Sequence, residues 1–366
     1  MARPRIDDVA RRAGVSKTSV SFAFNQPENL NPATRARILA VATELGYRPS
    51  PIARRLARRR TDQIGLVVPQ ATHEIFANPF LPELLRGIGD ACDPRGISLV
   101  IVPPVGGSIE RAVEGALVDG LILLGLEPNH VELRRVRRSG VPVVALDVDS
   151  WGGEAIVIAI DDAMGGREAA RHLYALGHRE IAVVLIAEHP DSNVDERAGI
   201  SARRLGGIEA GFRDAASASG GTAAELRIVA SAASEEGGRA AFEELQRDGL
   251  PTAIIAITDI TAIGIMLAAR ESQVTVPDDV SVIGYDNVPA AAWTDPPLTT
   301  IHQPIREKGR LAAERLMDVL ADRDGHLPSS LLLPTRLVVR ASTSKPRTSG
   351  PAAHRLSAGG GGAPHP

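Results

Sequence analysis

The sequence is almost without cysteine and poor in aromatic residues. Of its 366 residues one is a cysteine, Cys92, and Phe, Trp and Tyr together make up 3%. A lone cysteine excludes a disulfide framework and a thiolate metal cluster, and it fits a reducing compartment. No run approaches the ~18 consecutive apolar residues of a membrane span. The opening residues, Met1-Ala2-Arg3-Pro4-Arg5 with Asp7 and Asp8 behind them, hold no apolar signal core, so a cytoplasmic protein free of membrane is expected. Enzyme signatures are missing too: there is no G-x-G-x-x-G after a strand, no P-loop, no G-x-S-x-G and no H-E-x-x-H. His73, His130, His172, His178 and His302 are scattered without metal-ligand spacing. These residues suggest no catalytic group, cofactor or metal site.

What is present is a strong asymmetry of charge. Residues 1–60 carry 13 positive side chains against 4 negative, while the other 306 residues carry 28 against 40. A compact basic end on an acidic body is the footprint of polyanion binding, because phosphate contacts release condensed counterions. A solvated basic tail has the same charge, so the pattern within the segment must decide between them.

The segment is patterned. Ile6, Val9, Ala10 and Ala13 fall on one face of a short helix, with Asp7 and Asp8 in its first turn and Gly14 at its end. Ser16 is an N-cap for a second helix over Lys17–Phe24, and two helices joined by so short a glycine turn read as helix-turn-helix. Asn31-Pro32 caps a third helix, whose apolar stripe is Ile38, Val41, Ala42 and Leu45 and whose stop is Gly46. Ser50-Pro51 then opens a short helix crowded by Arg54, Arg55, Arg58, Arg59 and Arg60. Like-charge repulsion leaves such a helix marginal without a polyanion beside it, so it is expected to order on DNA; a permanently helical linker is the alternative.

From Ile64 the chain alternates apolar runs with helical patterns. The runs are Ile64–Val68, Ser98–Val102, Gly120–Leu124, Val141–Leu146, Ile156–Ile160, Ile181–Ile186, Ala253–Ile257 and Val280–Ile283. Helical patterns such as Pro82–Ala91, Ala163–Leu176, Leu205–Ala216, Glu235–Leu245 and Ile260–Arg270 lie between them. Such alternation indicates an α/β fold with parallel sheets covered on both faces, too long for one doubly wound sheet and therefore two lobes. Ligand chemistry is expected at the C-terminal ends of the strands. The expected organisation is a headpiece over 1–48, a hinge over 49–61 and a core over 62–343. Its first lobe spans about 62–161 and 301–333, its second about 162–300 and 334–343. A Gly/Pro/Ser-rich, disordered tail is expected over 344–366.

Ile6-Asp7-Asp8-Val9-Ala10, Ala13-Gly14-Val15-Ser16, Val20-Ser21, Asn25 and Leu45-Gly46-Tyr47-Arg48-Pro49 resemble the headpiece of the LacI/GalR family of bacterial regulators. The resemblance continues through Asn78-Pro79-Phe80, Asp119-Gly120-Leu121-Ile122, Leu176-Gly177-His178, Val282-Ile283-Gly284-Tyr285-Asp286-Asn287 and Pro296-Pro297-Leu298-Thr299-Thr300, closing at Arg336–Arg340. It implies a dimeric repressor with a periplasmic-binding-protein-like core, whose partners are operator DNA and a small effector, usually a sugar.

The resemblance also implies site residues. Lys17, Thr18 and Phe22 would meet base edges in the major groove, with Ser16, Ser21 and Asn25 positioning the phosphate backbone. Phe22 departs from the arginine common there. Its ring either presses on a thymine methyl or packs in the headpiece core beside Val20 and Phe24. Leu56 matches the minor-groove wedge of the hinge, and Ala53 is small enough for two hinge helices to approach. Asp147, Arg204, Thr258, Asp286 and Gln303 match positions that hydrogen-bond an effector, and Phe76 and Phe80 match its apolar wall. Asp259 reads instead as an N-cap for the helix from Ile260. Trp293 and Leu84 fall where relatives build the dimer interface, although Trp293 could equally be ordinary core. A sugar-transport binding protein, or an α/β enzyme without DNA binding, explains two lobes but not the patterned basic headpiece.

Overall fold

The computed structural model describes residues 4–48, 60–126, 133–138, 140–151, 155–186, 199–321 and 330–347. Ala53 and Leu56, expected in a hinge, lie outside them. The chain divides into two compact units, the first 63 residues with Leu117–Asp119, and the remainder.

In the first unit, α1 (Ile6–Ala13), α2 (Lys17–Asn25) and α3 (Pro32–Glu44) share one small core. Gly14 takes the left-handed conformation that ends α1, and Ser16 Oγ accepts the Ser19 N–H to start α2. The Asn31 side chain caps α3 through the Ala33 N–H at 2.9 Å. Val9, Ala10, Ala13, Val20, Ala23, Ile38 and Ala42 are buried together, and Phe24 and Tyr47 meet edge to face at its margin.

The second unit is built on two six-stranded sheets. The first has the order β11-β5-β4-β3-β1-β2, with β1 Gln63–Val67, β2 Ser98–Val102, β3 Gly120–Leu124, β4 Val143–Leu146, β5 Ile156–Ile160 and β11 Ser330–Leu333. The second has the order β12-β10-β9-β8-β6-β7, with β6 Glu180–Ile186, β7 Glu225–Ser231, β8 Ala253–Ala256, β9 Ser281–Asp286, β10 Thr299–His302 and β12 Arg336–Val338. Parallel strands fully covered by helices bury both faces, which is why runs such as Gly120–Leu124 are apolar without alternation. Smaller helices of the first sheet's half are α4 (Thr72–Ala77), α6 (Ile109–Gly115) and α7 (Leu133–Arg138).

Helices α5 (Phe80–Cys92) and α12 (Ile305–Ala321) pack against each other beside the first sheet. Helices α8 (Asp162–Leu176) and α9 (Gly199–Ser219) do so beside the second, as do α10 (Glu235–Arg247) and α11 (Asp259–Glu271). The chain passes between the sheets after Ile160, after His302 and after Leu333. The second passage comes later than residue 300. Ile301 and His302 still pair with Tyr285 and Asp286, so the ladder carries the strand past the expected boundary.

The expected start of a disordered tail at residue 344 is also corrected. Ser344 N–H donates to Ser281 Oγ at 3.0 Å, and the Ser344 carbonyl lies 2.8 Å from buried His178 Nε2. Backbone groups with such partners hold the chain to the second sheet past Ser342, before the composition turns to glycine and proline.

Candidate functional site

In the headpiece, the N-terminal turn of α2 presents Lys17 and Thr18 to solvent. Lys17 Nζ lies 2.6 Å from Asp7 Oδ1, an exposed pair of the kind worth at most ~1 kcal/mol and easily exchanged for a phosphate or base. Ser21 Oγ accepts from Asn25 Nδ2 at 3.3 Å on the same helix. Val20 is buried and Phe24 packs on the headpiece core, whereas Phe22 is half-buried and stands apart from that core.

Asp119 fixes the chain at Thr61 and Asp62. Its Oδ1 accepts the Thr61 N–H at 2.7 Å and the Thr61 hydroxyl at 2.9 Å, and its Oδ2 accepts the Asp62 N–H at 2.9 Å. Asp62 sits at φ +53°, a left-handed conformation that these bonds help to fix.

The second site lies where the C-terminal ends of β4 and β9 converge. Asp147 follows β4 at φ +59°, and Asp286 closes β9 at φ +124°. Non-glycine residues held there store roughly 1–3 kcal/mol each, and such strain persists only where the surroundings over-determine it. Lys308, on the first turn of α12, is fully buried and donates to Asp147 Oδ2 at 2.5 Å and to Gln303 Oε1 at 2.8 Å. Gln303 Nε2 donates in turn to Asp286 Oδ1 at 2.5 Å. Arg204 Nη1 lies 3.8 Å from the same oxygen, and its Nε donates to Asp162 Oδ1 at 2.8 Å. Arg203 takes Asp162 Oδ2 at 2.9 Å and reaches back to the Asp147 carbonyl at 2.7 Å and Asp149 Oδ1 at 2.9 Å.

These contacts close a ring: Asp147, Lys308, Gln303, Asp286, Arg204, Asp162, Arg203 and back to Asp147. It joins the half of the core built on the first sheet to the half built on the second, at two separate places. Burying so many charges brings little net stability, because desolvation offsets the attraction; what the pairing specifies is geometry. The Arg204 guanidinium carbon also sits over Tyr285, 3.7 Å from the ring centroid. Burial works against its charge, but Asp162, Tyr285 and Asp286 outweigh that and hold it protonated.

Gly207 explains how Arg204 arrives there. A Cβ at Gly207 would stand 2.2 Å from the Ala163 carbonyl oxygen, so only glycine lets α9 close on α8 and bring Arg204 beside Asp162. The spacing Arg204-x-x-Gly207 is thus one side chain and the backbone clearance it needs.

Asp259 is corrected from its expected role. Thr258 is the N-cap of α11, while Asp259 is the first residue inside the helix and fully buried. Its carboxylate accepts the Thr300 hydroxyl at 2.5 Å and the Val288 N–H at 2.8 Å, bracing the strand ends behind Asp286. Gly284 leaves room for it, since a Cβ there would stand 2.2 Å from Asp259 Oδ1. Burial, and then the neighbouring Asp286 charge, push the Asp259 carboxyl up; burial also pushes Asp286 up, with Arg204 opposing.

Of the expected cleft residues, Asp147, Arg204, Asp286 and Gln303 are brought together in the ring. Phe80 borders it, with its ring centroid 5.0 Å from Lys308 Nζ. Thr258 is not in the ring; its hydroxyl donates to Thr261 Oγ1 at 2.8 Å as part of the cap. Phe76 is 65% exposed and takes no part in it. Sequence reasoning missed Lys308, Asp162, Arg203 and Tyr285.

Residues 5–50 match the bacterial regulatory proteins of the lacI family, and residues 170–343 match the periplasmic binding protein-like domain. The HTH-type transcriptional regulator DegA of Bacillus subtilis is 34% identical over 93% of this chain and 98% of its own length. The chain belongs to the lacI family of bacterial transcriptional regulators. Among solved lacI-family structures, the lac repressor dimer bound to operator and the anti-inducer ONPF superposes with a TM-score of 0.73 at 28% identity. It covers 94% of this chain and 100% of that one. The complex of the regulator CelR with cellobiose superposes with a TM-score of 0.65 at 31% identity, covering 93% of this chain and 100% of that one.

Two residues expected at a lacI-family dimer interface behave differently. Trp293 is 79% exposed, so it is not ordinary core. Leu84, on α5, is fully buried in the core of the first sheet's half. Among the described residues no helix is long and apolar enough to cross a membrane.

Proposed function

We propose that this chain is a cytoplasmic homodimeric repressor whose hold on operator DNA is set by a sugar or sugar derivative bound between the two lobes of its core. Each headpiece reads one half-site of a pseudo-palindromic operator. Lys17, Thr18 and Phe22 face the bases, and Ser16, Ser21 and Asn25 face the phosphates. The hinge over 49–61 supplies Leu56 as the minor-groove wedge, with Ala53 at the approach of the two hinge helices. Trp293, with its exposed indole, is the anchor proposed for the dimer contact. No residue is assigned a catalytic role.

The observation that carries this reading is the ring at the strand ends. A regulator whose two lobes meet through polar side chains can have their arrangement reset by a ligand that takes over those hydrogen bonds. Carboxylates accept two bonds each and guanidinium donates a planar fork, which suits hydroxyl-rich ligands such as the cellobiose bound by CelR. By linkage the ligand changes operator affinity only as far as it prefers one arrangement, typically by ~1–3 kcal/mol.

Asp286→Asn tests the cleft assignment. A thermal-shift screen of sugars, cellobiose included, first supplies a ligand of the wild-type protein. Fluorescence anisotropy with labelled operator should then show operator affinity preserved within about threefold, while the response to that sugar falls by about tenfold or more. An unchanged response would remove Asp286 from the site.

A further inference from the structure

Lys308 has no counterpart among the residues expected to line the cleft, yet it is the most deeply buried cation of the ring, with no side-chain exposure. Its ammonium has three N–H groups. Two are spent on Asp147 Oδ2 and Gln303 Oε1, which leaves a third without an oxygen acceptor among the described residues, beside the Phe80 ring. The other oxygen of its partner, Asp147 Oδ1, is buried and has no hydrogen-bond partner among the described residues, and Asp147 is only 3% exposed. A buried carboxylate oxygen left unpaired is costly, and at the end of a strand it calls for a donor from elsewhere. The ring therefore holds one unused donor and one unused acceptor on adjacent groups.

Three carboxylates and three cations make up the ring. Asp147, Asp162 and Asp286 each lie beside a cation of the ring, and Lys308, Arg203 and Arg204 are those cations. Without Lys308, Asp147 would lose the cation that sits on its carboxylate; the bond from Arg203 goes to its backbone carbonyl.

We infer that Lys308 sets the charge class of the effector: by neutralising Asp147 from within, it makes the cleft a site for an uncharged polyol. This inference rests on the reading of the cleft as the effector site. A sugar hydroxyl can donate to Asp147 Oδ1 and accept from Lys308 at once. A carboxylate or phosphate on the ligand would accept from Lys308 but set an anionic oxygen against Asp147. An ammonium would donate to Asp147 but meet the Lys308 charge. Each charged ligand satisfies one partner and repels the other, which is how a site discriminates by difference of affinities.

Matched ligands test this on the full-length protein: glucose against glucosamine and glucuronate, ribose against ribose 5-phosphate, and cellobiose. The wild type should bind the neutral member of each set it accepts about tenfold or more tightly than the charged members. In Lys308→Met, which leaves Asp147 unmatched, the ratio of glucosamine to glucose affinity should rise by about tenfold. The double variant Lys308→Met/Asp147→Asn removes both charges and should return that ratio to within about threefold of wild type. A purely structural lysine would not produce this rise and return, and the neutral-over-charged preference of the wild type carries the test if the single variant does not fold. Charged members binding the wild type more tightly than neutral ones, or ratios unmoved in both variants, would overturn the inference. Operator affinity is read in parallel. A protein that responds to sugars without preference within a set loses the role of Lys308 and keeps the effector reading; one whose operator affinity none of these ligands changes loses both.

Discussion

Arg204→Met is expected to lower the melting temperature of the protein by on the order of 10 °C and to abolish its response to the effector. The guanidinium is buried among Asp162, Asp286 and the Ile257 carbonyl, with the Tyr285 ring beneath it. Removing one partner of such a cluster typically costs ~3–5 kcal/mol, because the other charge stays buried without compensation. Asp162 keeps Arg203, so the cost falls mainly on Asp286. The sign of its pH dependence follows. Burial already raises Asp286 above the carboxylate value of the unfolded chain, so the folded state holds more protons than the unfolded one between those two values. Stability is therefore lost as pH rises through that window, and losing Arg204 widens it upward. The deficit of Arg204→Met should be smaller at pH 5 than at pH 8 in thermal melts of the two proteins. A deficit of about 2 °C or less, or one that ignores pH, would mean that the ring is not coupled as its distances indicate.

The second large effect is electrostatic. Residues 1–60 carry a surplus of nine positive charges, doubled in a dimer, so operator binding should be steeply dependent on salt. With roughly 6–10 phosphates neutralised, affinity should fall by ~10³–10⁵-fold between about 50 and 200 mM salt. Titrations of labelled operator across that range give the slope directly. A nearly flat log–log plot would contradict phosphate contact by the headpiece, whatever the sequence preference.

Much of this was legible before the structure because the physics was local. The short glycine turn at Gly14, the cap at Ser16 and the apolar spacing of Ile6, Val9, Ala10 and Ala13 each act within a few residues, and the headpiece helices follow them. Buried parallel strands read as plain apolar runs; Ser98–Val102, Gly120–Leu124 and Ile156–Ile160 have the bounds their sequence suggests. The ring was half legible. Asp147 and Asp286 stand at the ends of apolar runs, where strand ends must lie. Lys308 was hidden because Arg306-Glu307-Lys308-Gly309-Arg310 reads as a solvated helix face, and only the close packing of α12 on α5 takes the lysine inside. A Cβ at Gly309 would stand 2.3 Å from the Leu84 carbonyl oxygen, which is the clearance behind that approach. Asp162 was hidden for a different reason. It follows Asp161, which does cap α8, and two acids at a helix start look like one signal.

A selection from a pool of random duplexes, with unlabelled random DNA in excess, asks the decisive question of the full-length protein. One pseudo-palindromic sequence should emerge, held at least ~10³-fold more tightly than the pool. Adding the sugar found by thermal shift should change that affinity by ~5–150-fold. A protein that retains no sequence over the pool, with or without every sugar tried, would not be a ligand-controlled operator-binding regulator.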